Sequence, residues 1–336
     1  ILWVLVKSVV SKKIIKQCSN ITMHNRDMLI ALAAFIVACL LSLILQTGKL
    51  TLSEFFISSL YLVRWAAYAM LYFIVAGFPN KTVLQKYLLV CGSVTILFGY
   101  IQYLFYPDLR NLYYAGWDPH LYRMFGTFFD PNFMGAIIVL FILFVLGLVL
   151  KKEIQRNIGI SLLCFSFPAL LLTYSRGAFI MAGIGIIVLL LLTGYRKLIG
   201  GIFVAGLLCI IGLSFVSKYS EGTNLFRTVS TNARIESYQQ AWVFFQQSPL
   251  FGIGFNAYRY AQDRAFPSCN EKKAQRCLDK QVLAESHAGA GTDNSFLFVL
   301  ATTGIVGSTA YLFLWYRLLL LSWKHKTEPY GLIVLS

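Results

Sequence analysis

The chain has 336 residues, 58% hydrophobic and only 13% charged, with a mean hydropathy of +0.68. A soluble globular protein is about 25% charged, so this composition excludes one and points to a polytopic α-helical membrane protein. The formal charge of +15 gathers in short loops between apolar runs, and the aromatics are spread through those runs, so a nucleic-acid partner is excluded as well.

Apolar runs of about 18 to 20 residues cross a hydrocarbon core as helices. In chain order, complete spans are predicted at Met28–Gln46, Phe56–Phe78, Gln85–Tyr106, Phe133–Leu150, Ile158–Tyr174, Gly177–Thr193, Leu198–Val216 and Ser295–Trp315. Ile1–Val10 reads as the end of an earlier helix and Tyr330–Ser336 as the start of a later one, so a fragment of a longer chain is expected. The expected fold is all-α: a single transmembrane bundle over residues 1–336 with a large helical extracytoplasmic loop at 217–293.

Basic residues set the orientation. Lys12, Lys13, Lys16 and Arg26, then Lys81 and Lys86, then Lys151, Lys152 and Arg156, then Arg196 and Lys197, then Lys324 and Lys326 fall in alternate loops. Those loops are expected to be cytoplasmic, which puts Asp108–Asn132, the Ser175-Arg176 turn and Ser217–Asp293 outside. Cys269 and Cys277 both lie in the last of these, where an oxidising exterior permits a disulfide; two unpaired thiols are the alternative. Neither CxxC nor HExxH occurs, so a zinc site has no support in the sequence.

Within the long loop, Ile235, Tyr238, Trp242 and Phe245 at i, i+3, i+7 and i+10 predict one face of a helix led by Arg234. Ser248-Pro249 ends it, because proline lacks the N–H donor and disfavours helix in the residue before it. A turn at Gly252-Ile253-Gly254-Phe255 and a short helix over Asn256–Arg264, carrying Arg259 and Arg264, follow. This basic, glycine-containing fold at a membrane mouth suits an anionic head group; a solvated cap without a ligand is the plain alternative.

Candidate site residues converge on the same chemistry. Arg176 occupies a turn so short that its guanidinium stays near the interface or enters the bundle, as a diphosphate ligand through its planar fork or as an anchor to lipid phosphates. Arg234 is a second ligand for the same anion or a solvated helix end, and Arg64, inside a span, is expected to face the bundle interior or a polar cavity. His287 is suited to general-base work, with Asp293 the competitor; Gly289 and Gly291 let either reach a common point. Asn294 is expected to cap the helix that begins at Ser295.

Tyr174-Ser175-Arg176-Gly177-Ala178, the Arg234-led helix, Ser248-Pro249-Leu250-Phe251-Gly252-Ile253-Gly254-Phe255, and Asn294-Ser295-Phe296-Leu297 followed by Thr303-Gly304-Ile305-Val306-Gly307 together resemble the O-antigen ligase and polymerase family, as do Phe125–Phe128 and Asp130–Phe133 upstream. The resemblance covers about Phe125 to Gly307. It implies an inverting glycosyltransferase in the bacterial cytoplasmic membrane, acting at its outer face in lipopolysaccharide or other envelope polysaccharide synthesis. Neither metal nor other cofactor is implied. The donor would be a glycan on undecaprenyl diphosphate, and the acceptor a glycan, a lipid A core or a protein. Carried over by motif, Arg176 and Arg234 would hold the leaving diphosphate, with Arg64 and Arg259 as further basic candidates, and a histidine would act on the acceptor. Many members place histidine directly before the motif asparagine, where this chain has Asp293, so the base is His287 displaced upstream or Asp293 itself. A transporter or flippase for a lipid-linked glycan is the alternative from another class.

Overall fold

The structure, a computed structural model, describes residues 26–76, 78, 80–115, 120–201, 206, 229–265, 291–292, 294–326, 328, 331 and 334–335. Described residues form helices, turns and loops without strands. Six of the described helices are long and apolar enough to cross a membrane, with a seventh apolar helix of 17 residues at Arg156–Leu172. The chain divides into two compact units, Ile1–Lys81 with Val229–Leu318, and Thr82–Thr228 with Leu319–Ser336.

In the first unit, α1 (Arg26–Leu45) and α2 (Leu52–Ala76) form an antiparallel pair joined by a short 3-10 turn at Thr47–Lys49. The start of α2 is closed reciprocally: Thr51 N–H donates to Glu54 Oε2 at 2.8 Å and Glu54 N–H to Thr51 Oγ1 at 3.3 Å, the pairing that the spacing Thr-x-x-Glu favours. Phe35, Cys39, Leu43 and Leu62 pack together with Trp65, whose ring meets Phe35 edge-on at 4.9 Å. The unit continues with α7 (Val229–Gln247), α8 (Tyr258–Ala265) and α9 (Ser295–Lys324), the last leaving it at Leu318.

The second unit is built from α3 (Lys81–Phe105), α4 (Pro131–Leu150), α5 (Arg156–Leu172) and α6 (Arg176–Thr193). Most of α4 is buried, and Ile138, Val139, Ile142 and Val145 form the core with Ala169, Leu170, Ala182 and Ile186. Asp130 caps α4, accepting from the Asn132 and Phe133 amides, and Pro131 fills the first helical position, where no intrahelical N–H bond is lost. A Cβ on Gly135 would lie 2.7 Å from that of Ala178, so the glycine permits α4 and α6 to approach closely.

Seven predicted spans coincide with described helices. The eighth, Leu198–Val216, is described only at 198–201 and 206, where it is helical. Ile1–Val10, Lys12, Lys13, Lys16, most of Tyr330–Ser336, Cys269, Cys277, His287, Asp293, and the 217–228 and 266–290 parts of the long loop lie outside the described residues.

Candidate active site

Two glycine-containing sequences in the first unit lock onto each other. α9 is capped by Asn294, whose Oδ1 accepts from the Phe296 and Leu297 amides at 3.0 and 3.2 Å, as its residue type suggests. The helix then breaks at Gly304, with φ 65° and ψ −164°. That is nine residues past Ser295, or about 13 Å along the helix at 1.5 Å per residue, whereas an uninterrupted span was expected. A break frees backbone groups that hydrocarbon cannot satisfy. The loop after α7 satisfies them: Ile253 and Gly254 N–H donate to the Ala301 and Thr302 carbonyls at 3.0 and 3.1 Å, and Ile305 and Val306 N–H donate to Pro249 and Leu250 at 2.9 and 3.2 Å.

Only glycine fits at the two crossing points. A Cβ on Gly252 (φ 68°) would overlap the backbone of Thr302 and Thr303, and one on Gly304 would overlap that of Leu250. From α1, Ser42 Oγ donates to Thr302 O at 2.7 Å, and just past its end Gln46 Nε2 donates to Gly252 O at 2.9 Å. Both side chains are buried. The Ser248–Phe255 and Thr303–Gly307 motifs are thus the two halves of one joint, which fixes the long loop to the broken helix.

Above this joint, Ala241 and Phe244 of α7 pack on Tyr258 of α8 and on Ala301, with Leu297 and Phe298 against them. The Phe244 and Tyr258 rings meet edge-on at 5.1 Å, and Gln262 Nε2 donates to Gln240 Oε1 at 3.1 Å. Burial pushes the Tyr258 phenol up to about 12. α7 ends at Gln247, before Ser248-Pro249 as expected, and α8 covers most of the predicted second helix. The face of α7 buried against protein is offset from the predicted apolar stripe. It centres on Ala241 and Phe244, while Ile235 and Trp242 are each 49% exposed. The apolar stripe was legible, but small Ala241 and the ring pocket for Phe244 decide which face meets protein.

The arginines fall as follows. Arg234 lies half-buried in α7, which starts five residues before it at Val229, and Arg259 lies half-buried in α8. Arg64 is the thirteenth of the 25 residues of α2, at the helix midpoint. It is exposed, with its guanidinium 4.5 Å from the Tyr61 ring centroid. That stacking offsets part of the cost of placing a cation at this depth. Arg176, in the second unit, is half-buried as the first residue of α6. Its turn is built by Ser175, whose Oγ accepts from Ala178 N at 3.4 Å and donates to Asn132 Oδ1 at 2.9 Å.

Sequence reasoning missed Ser42, Gln46, Arg123 and Asn132. Ser42 and Gln46 carried a signal as polar side chains at the end of an apolar run, while Arg123 and Asn132 carried none beyond their place in the motif-like 125–133 neighbourhood.

Fold and motif placement define a multi-pass α-helical membrane protein whose long loop is locked into a broken helix. Residues 160–312 match the family described as O-antigen ligase (Wzy_C), a stretch running from α5 into α9 that contains Arg176, Arg234, Arg259, His287 and Asp293 but not Arg64 or Phe125–Phe133. Residues 160–312 are thus similar to the O-antigen ligase family, as the motif resemblance implied. Among curated proteins, none matches it.

Proposed function

We propose that this chain is a membrane glycosyltransferase that moves or polymerises a glycan from an undecaprenyl diphosphate-linked donor, acting at the extracytoplasmic face of the bacterial cytoplasmic membrane in surface polysaccharide synthesis. The family match and the multi-pass fold support the class. The donor, the face and independence from metal rest on the motif resemblance and on the alternation of basic loops.

An acceptor hydroxyl attacks the anomeric carbon, a new C–O bond forms with inversion, and the bond to the diphosphate oxygen breaks. The acceptor proton passes to His287 or Asp293, and undecaprenyl diphosphate leaves. Negative charge grows on the leaving oxygens, and arginine forks neutralise it where it develops. Arg176 and Arg234 are assigned that role, with Arg259 and Arg64 as further cations for the anionic head group. The acceptor is a glycan, a lipid A core or a protein.

The observation that favours an enzyme over a transporter or flippase is the joint at Gly304. Transporters offer the freed backbone of broken helices to substrate or ions. Here the Ala301 and Thr302 carbonyls and the Ile305 and Val306 amides are taken up by the chain's own loop. The break therefore anchors a loop, which supports the enzyme reading.

The test is transfer of a labelled glycan from undecaprenyl diphosphate by purified protein in lipid nanodiscs, with chelator present and glycan, lipid A core and peptide acceptors offered. Turnover that survives chelation, is lost in Arg234→Ala and is lost in one of His287→Ala or Asp293→Ala supports the reading and names the base. Absence of turnover with every acceptor, alongside arginine-dependent carrier binding, replaces it with the flippase.

A further inference from the structure

The turn that carries Arg176 is held by a buried arginine. Arg123 is 5% exposed, and its Nε donates to Thr173 O at 2.9 Å while Nη2 donates to Tyr174 O at 3.4 Å. These carbonyls follow the C-terminus of α5, the negative end of its dipole, where a cation is favoured. Two residues later Arg176 opens α6.

Backbone conformation makes the clamp more than a cap. Tyr174, buried and bulky, has φ 48° in the left-handed region that favours glycine. Such strain persists only where surrounding contacts over-determine it, and it concentrates at functional sites. The contacts come from two sides. Arg123 grips the carbonyls of Thr173 and Tyr174, and Ser175 Oγ is tied to Asn132. The segment bearing Arg123 is itself pinned: Met124 N–H donates to Leu172 O at 2.8 Å, and Gln102 Oε1 accepts from the Phe125 and Gly126 amides at 2.9 and 3.0 Å. His120, Tyr122 and Phe129 in the same stretch also have positive φ. A rigid, strained frame thus surrounds the one turn from which Arg176 projects.

We infer that Arg123 is a positioning residue for Arg176: it locks the Tyr174 turn so that the Arg176 guanidinium is pre-oriented for a phosphate-bearing lipid head group. The inference rests on the proposed role of Arg176 in binding the carrier diphosphate. A pre-organised fork loses less freedom when its two hydrogen bonds form, and that difference appears as affinity. Arg123 acts through Arg176 and needs no contact with the ligand.

Binding of undecaprenyl diphosphate to the full chain in nanodiscs tests it, with Arg176→Ala, Arg123→Gln, Arg123→Lys and the double variant Arg123→Gln/Arg176→Ala. Nanodiscs with and without phosphatidylglycerol separate carrier binding from capture of ordinary lipid phosphates. Loss of a charge-assisted contact predicts about 10- to 100-fold weaker binding for Arg176→Ala. Arg123→Gln weakens it about 10-fold, Arg123→Lys recovers part of that, and the double variant is no more than about 2-fold worse than Arg176→Ala alone. Full multiplication of the two losses overturns the inference, because Arg123 then acts independently.

Hydrogen exchange separates the two layers. Arg123→Gln is expected to accelerate exchange at the Tyr174–Ala178 amides whether or not Arg176 binds ligand; unchanged exchange there refutes the clamp. Arg176→Ala binding as tightly as wild type, with exchange still accelerated by Arg123→Gln, refutes the ligand role and leaves the clamp standing. Should Arg123→Gln fail to accumulate, Arg123→Lys, alone and with Arg176→Ala, carries the same comparisons.

Discussion

Gly304→Ala strikes the joint between the long loop and α9. Alanine there must take φ 65° and ψ −164°, a region essentially confined to glycine, at a cost of about 1–3 kcal/mol. Its Cβ would overlap the carbonyl carbon and oxygen of Leu250, which are backbone atoms with no rotamer to escape into. Relief requires the loop to withdraw, breaking at least the Ile305–Pro249 and Val306–Leu250 bonds, each worth about 1 kcal/mol and more when the groups are left unsatisfied. The sum is about 4 kcal/mol, in the range that marks a specific structural fault. At about 1–2 °C per kcal/mol for a chain of this length, the apparent Tm falls by roughly 4–8 °C. Size-exclusion profiles of heated, detergent-solubilised protein measure it. Gly183→Ala is the control, since nothing lies within 4 Å of its Cβ and alanine is the better helix former. A Gly304→Ala protein that melts with wild type, or alongside Gly183→Ala, refutes the claim that the joint holds the loop.

Gln46→Leu strands the Gly252 carbonyl and lowers stability by about 1–3 kcal/mol, whereas Ser42→Ala removes one of two donors to Thr302 O, which Gly254 N–H still satisfies, and costs about 1 kcal/mol in the same melting assay. Ser175→Ala deletes the cap of α6 and its tie to Asn132, costing about 1 kcal/mol and weakening carrier binding in the nanodisc assay. For Tyr258 the sign follows from burial, which raises the folded-state value to about 12 from the ordinary 10. The stability this reflects is complete below about pH 10 and lost as pH rises towards 12, and Tyr258→Phe removes that alkaline loss in a pH-melting series. If His287 is the base, transfer rises with pH through the ordinary imidazole range, and His287→Ala abolishes that limb. A profile flat across that range assigns the role to Asp293.

Composition and periodicity determined the class and most elements of this protein. An apolar run long enough to span lipid has few alternatives to helix, because hydrocarbon offers no partner for unpaired backbone groups. Local chemistry placed the ends too: Asn294 caps α9 and Pro249 follows the end of α7, since caps and prolines act through the nearest few residues. The glycines at 252 and 304 were legible as turn and motif, but their partnership was not. It joins residues about fifty positions apart, and only the tertiary structure decides that one positive φ exists to let the other backbone approach. The same holds for α7, where periodicity marked an apolar stripe but packing on Tyr258 chose Ala241 and Phe244 as the inward face. It holds again for Arg123, which reads as an ordinary loop cation until folding brings the carbonyls of Thr173 and Tyr174, fifty residues on, within reach of its guanidinium.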